Sequence, residues 1–309
     1  MRRQFYAGLA WSLYQMAQLL PLSWGRQLGL GLAKLATLAS PRQLRRARSN
    51  LALAYPELSN EERELILSGC QRHLGRNFFH TLVAPRLLSQ DNAIVEASGE
   101  NSSDRSISEW LSSLLDAEQG VLILGGHMGC WELAGGWLAQ EIDKLGRGPL
   151  GVVTGTIHNP PINRMVQNWR RKMGLITLPR DGGAAPLLKM VKGGGVVAIL
   201  LDQQTEVSNV DAPFFGHLAP TPAAMAKLAL KYSIPVLPVA AMWDNVGQVH
   251  VMRHCSPIMP DDFGEGDLVG FLTACNSALE SFIRGNPEQW VWFHRRWPDT
   301  NQNEGKEVS

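Results

Sequence analysis

From residue 121 onward the chain alternates short apolar runs with longer amphipathic stretches. The runs Val121–Leu124, Leu150–Val153, Leu175–Leu178, Val196–Leu201, Val236–Ala240 and Val249–Met252 are rich in Val, Ile and Leu and too short for helices, so they predict strands. The intervening stretches carry helix signals. One runs from about Pro160 to Met173, with Ile162, Met165, Val166, Trp169 and Met173 on one face, Asn159 as cap, Pro160 at the first helical position and Gly174 as the stop. Thr221-Pro222 reads as a second start of this kind, and Gly193-Gly-Gly195 as the turn into the run at Val196. Strand and helix in alternation predict an α/β fold with a mostly parallel central sheet flanked by helices.

Ahead of that region the pattern is helical. Residues 1–54 predict two helices broken near Pro21 and Ser40-Pro41, with the Arg42 to Arg48 cluster opening a third. Ser59-Asn-Glu-Glu62 is a capping box for a helix running toward Leu82, and Ser106 to Glu109 is another. The expected organisation is a helical membrane-associating segment at 1–54, an α/β domain at 55–298 and a polar, disordered tail at 299–309.

Charge sharpens the reading of the amino end. The net charge is +1, yet eight basic residues precede the first acidic one, Glu57, so +1 less +8 leaves −7 on residues 57–309. The basic residues sit among Leu, Ala, Trp and Tyr in amphipathic stretches, which predicts an anionic membrane surface as partner rather than nucleic acid. Phe5 to Trp24 is interrupted by Ser12, Gln15, Gln18 and Pro21, so the expectation is an anchor that dips into one leaflet or spans once. Four scattered cysteines without a CxxC read as reduced cytosolic thiols, and nothing near them has metal-ligand spacing. Neither a metal nor a cofactor is expected.

The chemistry concentrates at Gly125-Gly-His127-Met-Gly-Cys130-Trp-Glu132. On one continuous helix, residues five apart point roughly 140° away from each other. His127 and Glu132 meet only if the histidine lies in the turn after a strand and the glutamate in the first turn of the next helix. Glu132 would then accept from one ring nitrogen and leave the other to take a proton from a hydroxyl, a base and its orienter. A Cys130/His127 nucleophile, and with it a lipid hydrolase, is the competing arrangement. Arg164, Arg170 and Arg171 lie beside the apolar face of the helix at 160–173, either as a solvated basic face or with one guanidinium over a phosphate or oxyanion. Asp202 ends a strand, where a parallel sheet opens its crevice. Trp290-Val-Trp-Phe-His-Arg-Arg-Trp297 suits either a lipid headgroup interface or an aromatic cap on the sheet.

Several of these stretches together resemble the bacterial lipid A late acyltransferases, the lauroyl and myristoyl transferases. They are GGHMGCWELAG around His127 and Glu132, Asn159-Pro160 leading to Arg170, the run from Lys192 to Asp202-Gln203, Pro213-Phe-Phe-Gly216 and PEQWVWFHRRW at the end. The resemblance implies that His127 and Glu132 form a catalytic dyad and that Arg170 and Asp202 matter. The chemistry expected from these residue types has Arg170 holding phosphate or developing charge and Asp202 orienting Arg170 or Arg180. It also implies an acyl-carrier-protein donor, a lipid A precursor as acceptor and the cytoplasmic face of the bacterial inner membrane. Where many members have Tyr-Arg-Pro this chain reads Val153-Thr-Gly-Thr156, so another glycolipid or phospholipid acceptor stays open.

Overall fold

The structure, a computed structural model, describes residues 2–90, 92–97, 105–116, 119–155, 157–180, 183–205 and 208–298, and the tail expected at 299–309 lies outside them. Nine strands are described: β1 Ile94–Glu96, β2 Val121–Gly125, β3 Leu150–Thr154, β4 Leu175–Pro179, β5 Val196–Leu200, β6 Asn209–Phe214, β7 His217–Pro222, β8 Val236–Asp244 and β9 Val249–His254. Seven form one sheet in the order β1-β9-β8-β2-β5-β3-β4. Every neighbouring pair is parallel except β8 with β9. The α/β architecture read from the pattern is therefore the observed one.

β2 runs through the middle with both faces covered. Leu122 and Leu124 enter one core cluster and Val121 and Ile123 the other, the alternation of a pleated strand buried on both sides. The first cluster takes α3 (Pro41–Ala54), α10 (Ala224–Tyr232) and α11 (Leu268–Gly285), the second takes α6 (Ile107–Leu115) and α7 (Trp131–Lys144), and α4 (Asn60–Leu82) gives Leu67 and Cys70 to the first and Phe79 to the second. Both capping boxes form, Ser59 with Glu62 and Ser106 with Glu109.

Two local features differ from the sequence reading. Thr221 and Pro222 do not start a helix; they close the β6–β7 hairpin, and α10 begins at Ala224. The Thr221 hydroxyl, fully buried, donates to the Ala219 carbonyl and accepts from Arg296 and Asn276, so its acceptor capacity is taken and none is left for a cap. The hairpin itself, and the short edge strand β1, carry too little periodic signal to be foreseen.

α1 (Arg2–Leu19) and α2 (Leu22–Leu38) lie outside the sheet's helical layers. α2 presses on α4 where Gly29 faces Gly75; a Cβ on either would overlap the other's backbone, so only glycine lets these helices touch. Arg26 of α2 and Arg76 of α4 both stack on Trp243, each 4.7 Å from its ring centre. Many outward residues of α1 and α2 are apolar: Leu9, Leu13, Met16, Leu19, Trp24, Leu28 and Leu35 are all exposed, Leu19 at 86% and Trp24 at 70%. Among the described residues no helix is long and apolar enough to cross a membrane.

Candidate active site

The site forms where β2 and β5 end side by side. Their parallel register pairs Gly125 with Leu200, so the residues two further on, His127 and Asp202, leave the sheet at the same height. The His127 Nδ1–H donates to Asp202 Oδ1 at 2.8 Å, and the His127 backbone N–H donates to Oδ2 at 2.7 Å. The Trp290 indole N–H adds a third donor to Oδ2 at 2.7 Å. Gly126 is needed for this approach, since a Cβ there would lie 3.2 Å from Asp202 Oδ2 and 2.6 Å from Met128 Cε.

The orienter of His127 is therefore Asp202 and not Glu132, which corrects the pairing read from the local spacing. Glu132 stands in the first turn of α7 as foreseen, but its carboxylate is engaged by Arg170 of α8 (Pro160–Lys172) through both Nε, at 3.2 Å, and Nη2. Nor does Asp202 orient Arg170 or Arg180. Arg180 follows β4, largely exposed, beside Gly155 on the wall of the same cavity. Of the three arginines on α8, Arg164 and Arg171 face solvent, Arg171 bonded to Asn168, and Arg170 alone turns inward.

Charge follows from this geometry. Asp202 is wholly buried, which opposes ionisation, but His127 and the donors around it outweigh burial and hold the carboxyl well below the usual carboxylate range. An ionised Asp202 only accepts, so Nδ1 of His127 carries the proton and Nε2 keeps its lone pair. Burial works against a charged His127, yet the Asp202 carboxylate, with a smaller contribution from Glu132, raises it above the ordinary histidine value. His294 donates from Nε2 to the Asp202 carbonyl at 3.0 Å, and burial lowers its own pKa. Cys130 is shut away beneath Thr81 with its thiol pushed up to about 12 by burial, so the structure gives no support to a Cys130/His127 nucleophile.

The loop carrying His127 is clamped from several sides. Gly129, at φ +51°, sits so close to Ala241 that a side chain would overlap its carbonyl. Its N–H donates to Gln289 O at 2.9 Å and its carbonyl accepts from Asn77 Nδ2 at 2.5 Å. The Val291 N–H donates to His127 O at 3.0 Å. The closing aromatic stretch thus packs as a cap on the sheet. Trp290, Trp292 and Trp297 are buried, and fully buried Arg296 donates to Pro220 O and Thr221 Oγ1 and lies over Phe214. The lipid-interface reading of this stretch does not hold.

His127, Glu132 and Arg170 open onto a cavity of about 530 Å³ whose deeper wall is apolar, with Leu138, Leu175, Leu187 and Leu228 among its lining. Among the described residues no cluster of His, Cys, Asp or Glu is arranged to hold a metal ion. The arrangement is a histidine of fixed tautomer and raised basicity, chemically able to take a proton, beside an apolar slot of a size that admits a hydrocarbon chain.

Comparison with known proteins agrees in kind. The phosphatidylinositol mannoside acyltransferase of Mycolicibacterium smegmatis is 27% identical over 192 residues, 60% of this chain and 60% of that protein. Its counterpart in Mycobacterium tuberculosis H37Rv is 24% identical over 194 residues, 60% of this chain and 57% of that protein. The chain thus spans less than two thirds of the length of these relatives. The lipid A biosynthesis lauroyltransferase of Escherichia coli K12 is 25% identical over 304 residues, 94% of this chain and 89% of that protein. The family model for bacterial lipid A biosynthesis acyltransferases matches residues 2–299, and the chain belongs to that family.

Proposed function

We propose that this chain moves a fatty acyl group from an acyl-carrier-protein thioester to a hydroxyl of a lipid A precursor, working at the cytoplasmic face of the bacterial inner membrane. The observation that carries the reading is the His127–Asp202 pair at the mouth of the apolar cavity. His127 Nε2 takes the proton of the acceptor hydroxyl as its oxygen attacks the thioester carbonyl. Asp202 stabilises the imidazolium that results. The tetrahedral intermediate then collapses by breaking the carbon–sulfur bond, and the imidazolium returns the proton to the departing thiolate. Arg170, held by Glu132, supplies fixed positive charge for the oxyanion, and the apolar cavity takes the donor chain. His127 and Glu132 thus both serve the reaction, the first as base and the second as the anchor of Arg170.

The test is direct transfer. Purified enzyme with a dodecanoyl acyl-carrier-protein and a lipid A precursor is expected to yield an acceptor heavier by one acyl chain in the mass spectrum, and His127→Ala to yield roughly 10²- to 10⁴-fold less. Equal turnover by the variant would remove His127 from the mechanism. A phosphatidylinositol mannoside is the second acceptor to offer, because the mycobacterial relatives are named for it.

The exposed apolar residues of α1 and α2 support membrane attachment through these helices. Changing Leu19, Trp24 and Leu35 to serine is expected to shift the protein from the pellet to the supernatant when it is spun with anionic phospholipid vesicles. Undiminished pelleting would place the attachment elsewhere.

A further inference from the structure

A second cavity, of about 680 Å³, lies between α1 and α8 and touches the first only at Glu132 and Arg170, which line both. Its walls are apolar and aromatic: Ala7, Trp11 and Tyr14 from one side, Ile157, Met165 and Val166 from the other. α8 explains the opening. Ile162, Met165, Val166 and Trp169 form one apolar face, yet α8 has no fully buried residue, because α1 covers that face incompletely. At the rim stand Arg164 and Lys172, and Glu132 is the sole carboxylate among the lining residues.

We infer that this cavity takes one acyl chain of the acceptor lipid, with the acceptor's anionic headgroup against Arg164 and Lys172. Three considerations fix the occupant. The helix that roofs the cavity turns Leu9, Leu13 and Met16 outward, so a membrane that received this face would meet the cavity's edge and a chain could pass in without crossing water. The cationic rim selects a lipid whose headgroup is negative. Because Glu132 and Arg170 line both cavities, a hydroxyl near the top of that chain stands next to the compartment containing His127, while the thioester's chain occupies the first cavity. Both volumes fall in the range of roughly 300–1,000 Å³ usual for pre-formed ligand sites. The inference rests on the acyl-transfer reading above and adds to it a separate seat for the second substrate.

Two probes separate the seats in the full-length enzyme. One is a phosphatidic acid with a diazirine at the end of an acyl chain, the other a dodecanoyl thioester labelled in the same way. After illumination the phosphatidic acid is expected to label peptides spanning residues 7–14 and 157–169, and the thioester peptides around Leu187 and Leu228. Phosphatidic acid found on the walls of the first cavity, or only on the outward residues of α1, would overturn the inference. A thioester that fails to label the first cavity would instead count against the acyl-transfer reading. In turnover, Val166→Trp fills the groove and is expected to raise the acceptor KM about tenfold while kcat at saturating acceptor and the thioester KM stay near wild type, the signature of lost ground-state binding. A change confined to the thioester KM would likewise overturn the separate seat.

Discussion

Asp202→Asn is expected to lower turnover by roughly 10²- to 10⁴-fold, as loss of the orienting carboxylate does in a histidine-based relay. An asparagine has one acceptor oxygen where Asp202 now meets three N–H groups, from the His127 backbone, the His127 ring and Trp290. If the amide turns its NH₂ toward the ring, Nδ1 must accept and the proton moves to Nε2, the wrong tautomer for a base. The pH profile identifies the cause. His127 acts only when neutral, and Asp202 raises its pKa, so in the wild-type enzyme kcat/KM falls with decreasing pH from a point above the ordinary histidine value. Without the carboxylate, burial dominates and lowers that pKa, so the acid limb of the variant moves to lower pH. Measuring kcat/KM from pH 5 to 9 checks both parts. An acid limb that stays in place while turnover falls would mean Asp202 acts only through packing.

The course of the chain was readable because β2, β3, β4, β5, β8 and β9 are strongly apolar and Gly125-Gly126, Asn159-Pro160 and Gly174 punctuate them. The β6–β7 hairpin was not, since Pro213, Pro220 and Pro222 argue against a strand and only its partner in space makes it one. The site was half readable. Each residue of it stood out, His127 by its turn, Asp202 by its place at a strand end and Arg170 by its helix, but their partners did not. Spacing makes Glu132 the natural neighbour of His127, and strand order makes Asp202 the true one. Once β2 is known to lie beside β5 with Gly125 opposite Leu200, the His127–Asp202 contact follows from register alone. Strand order is set by packing over the whole sheet, which no local window contains. For the same reason Trp290, His294 and Asn77, which steady the loop and the carboxylate from far along the chain, gave no local sign of doing so.

The Glu132–Arg170 pair is expected to behave as one unit. Both side chains are mostly buried, at 16% and 13% exposure, so removing either charge leaves the other poorly solvated beside the reacting groups. Arg170→Lys keeps the charge but loses the fork that grips Glu132 through two nitrogens, and we expect turnover to fall about 10- to 100-fold with little change in melting temperature. Arg171→Lys, on the exposed side of the same helix, is expected to stay within about twofold of wild type. Glu132→Gln should fall as far as Arg170→Lys and also move the acid limb slightly downward, because Glu132 adds to the basicity of His127. Combining Glu132→Gln with Arg170→Lys should then cost little beyond either alone, a coupling of about 0.5–3 kcal/mol in a double-mutant cycle. Strictly multiplicative losses would show that the two act separately, Glu132 through the charge it lends to His127 and Arg170 on the substrate.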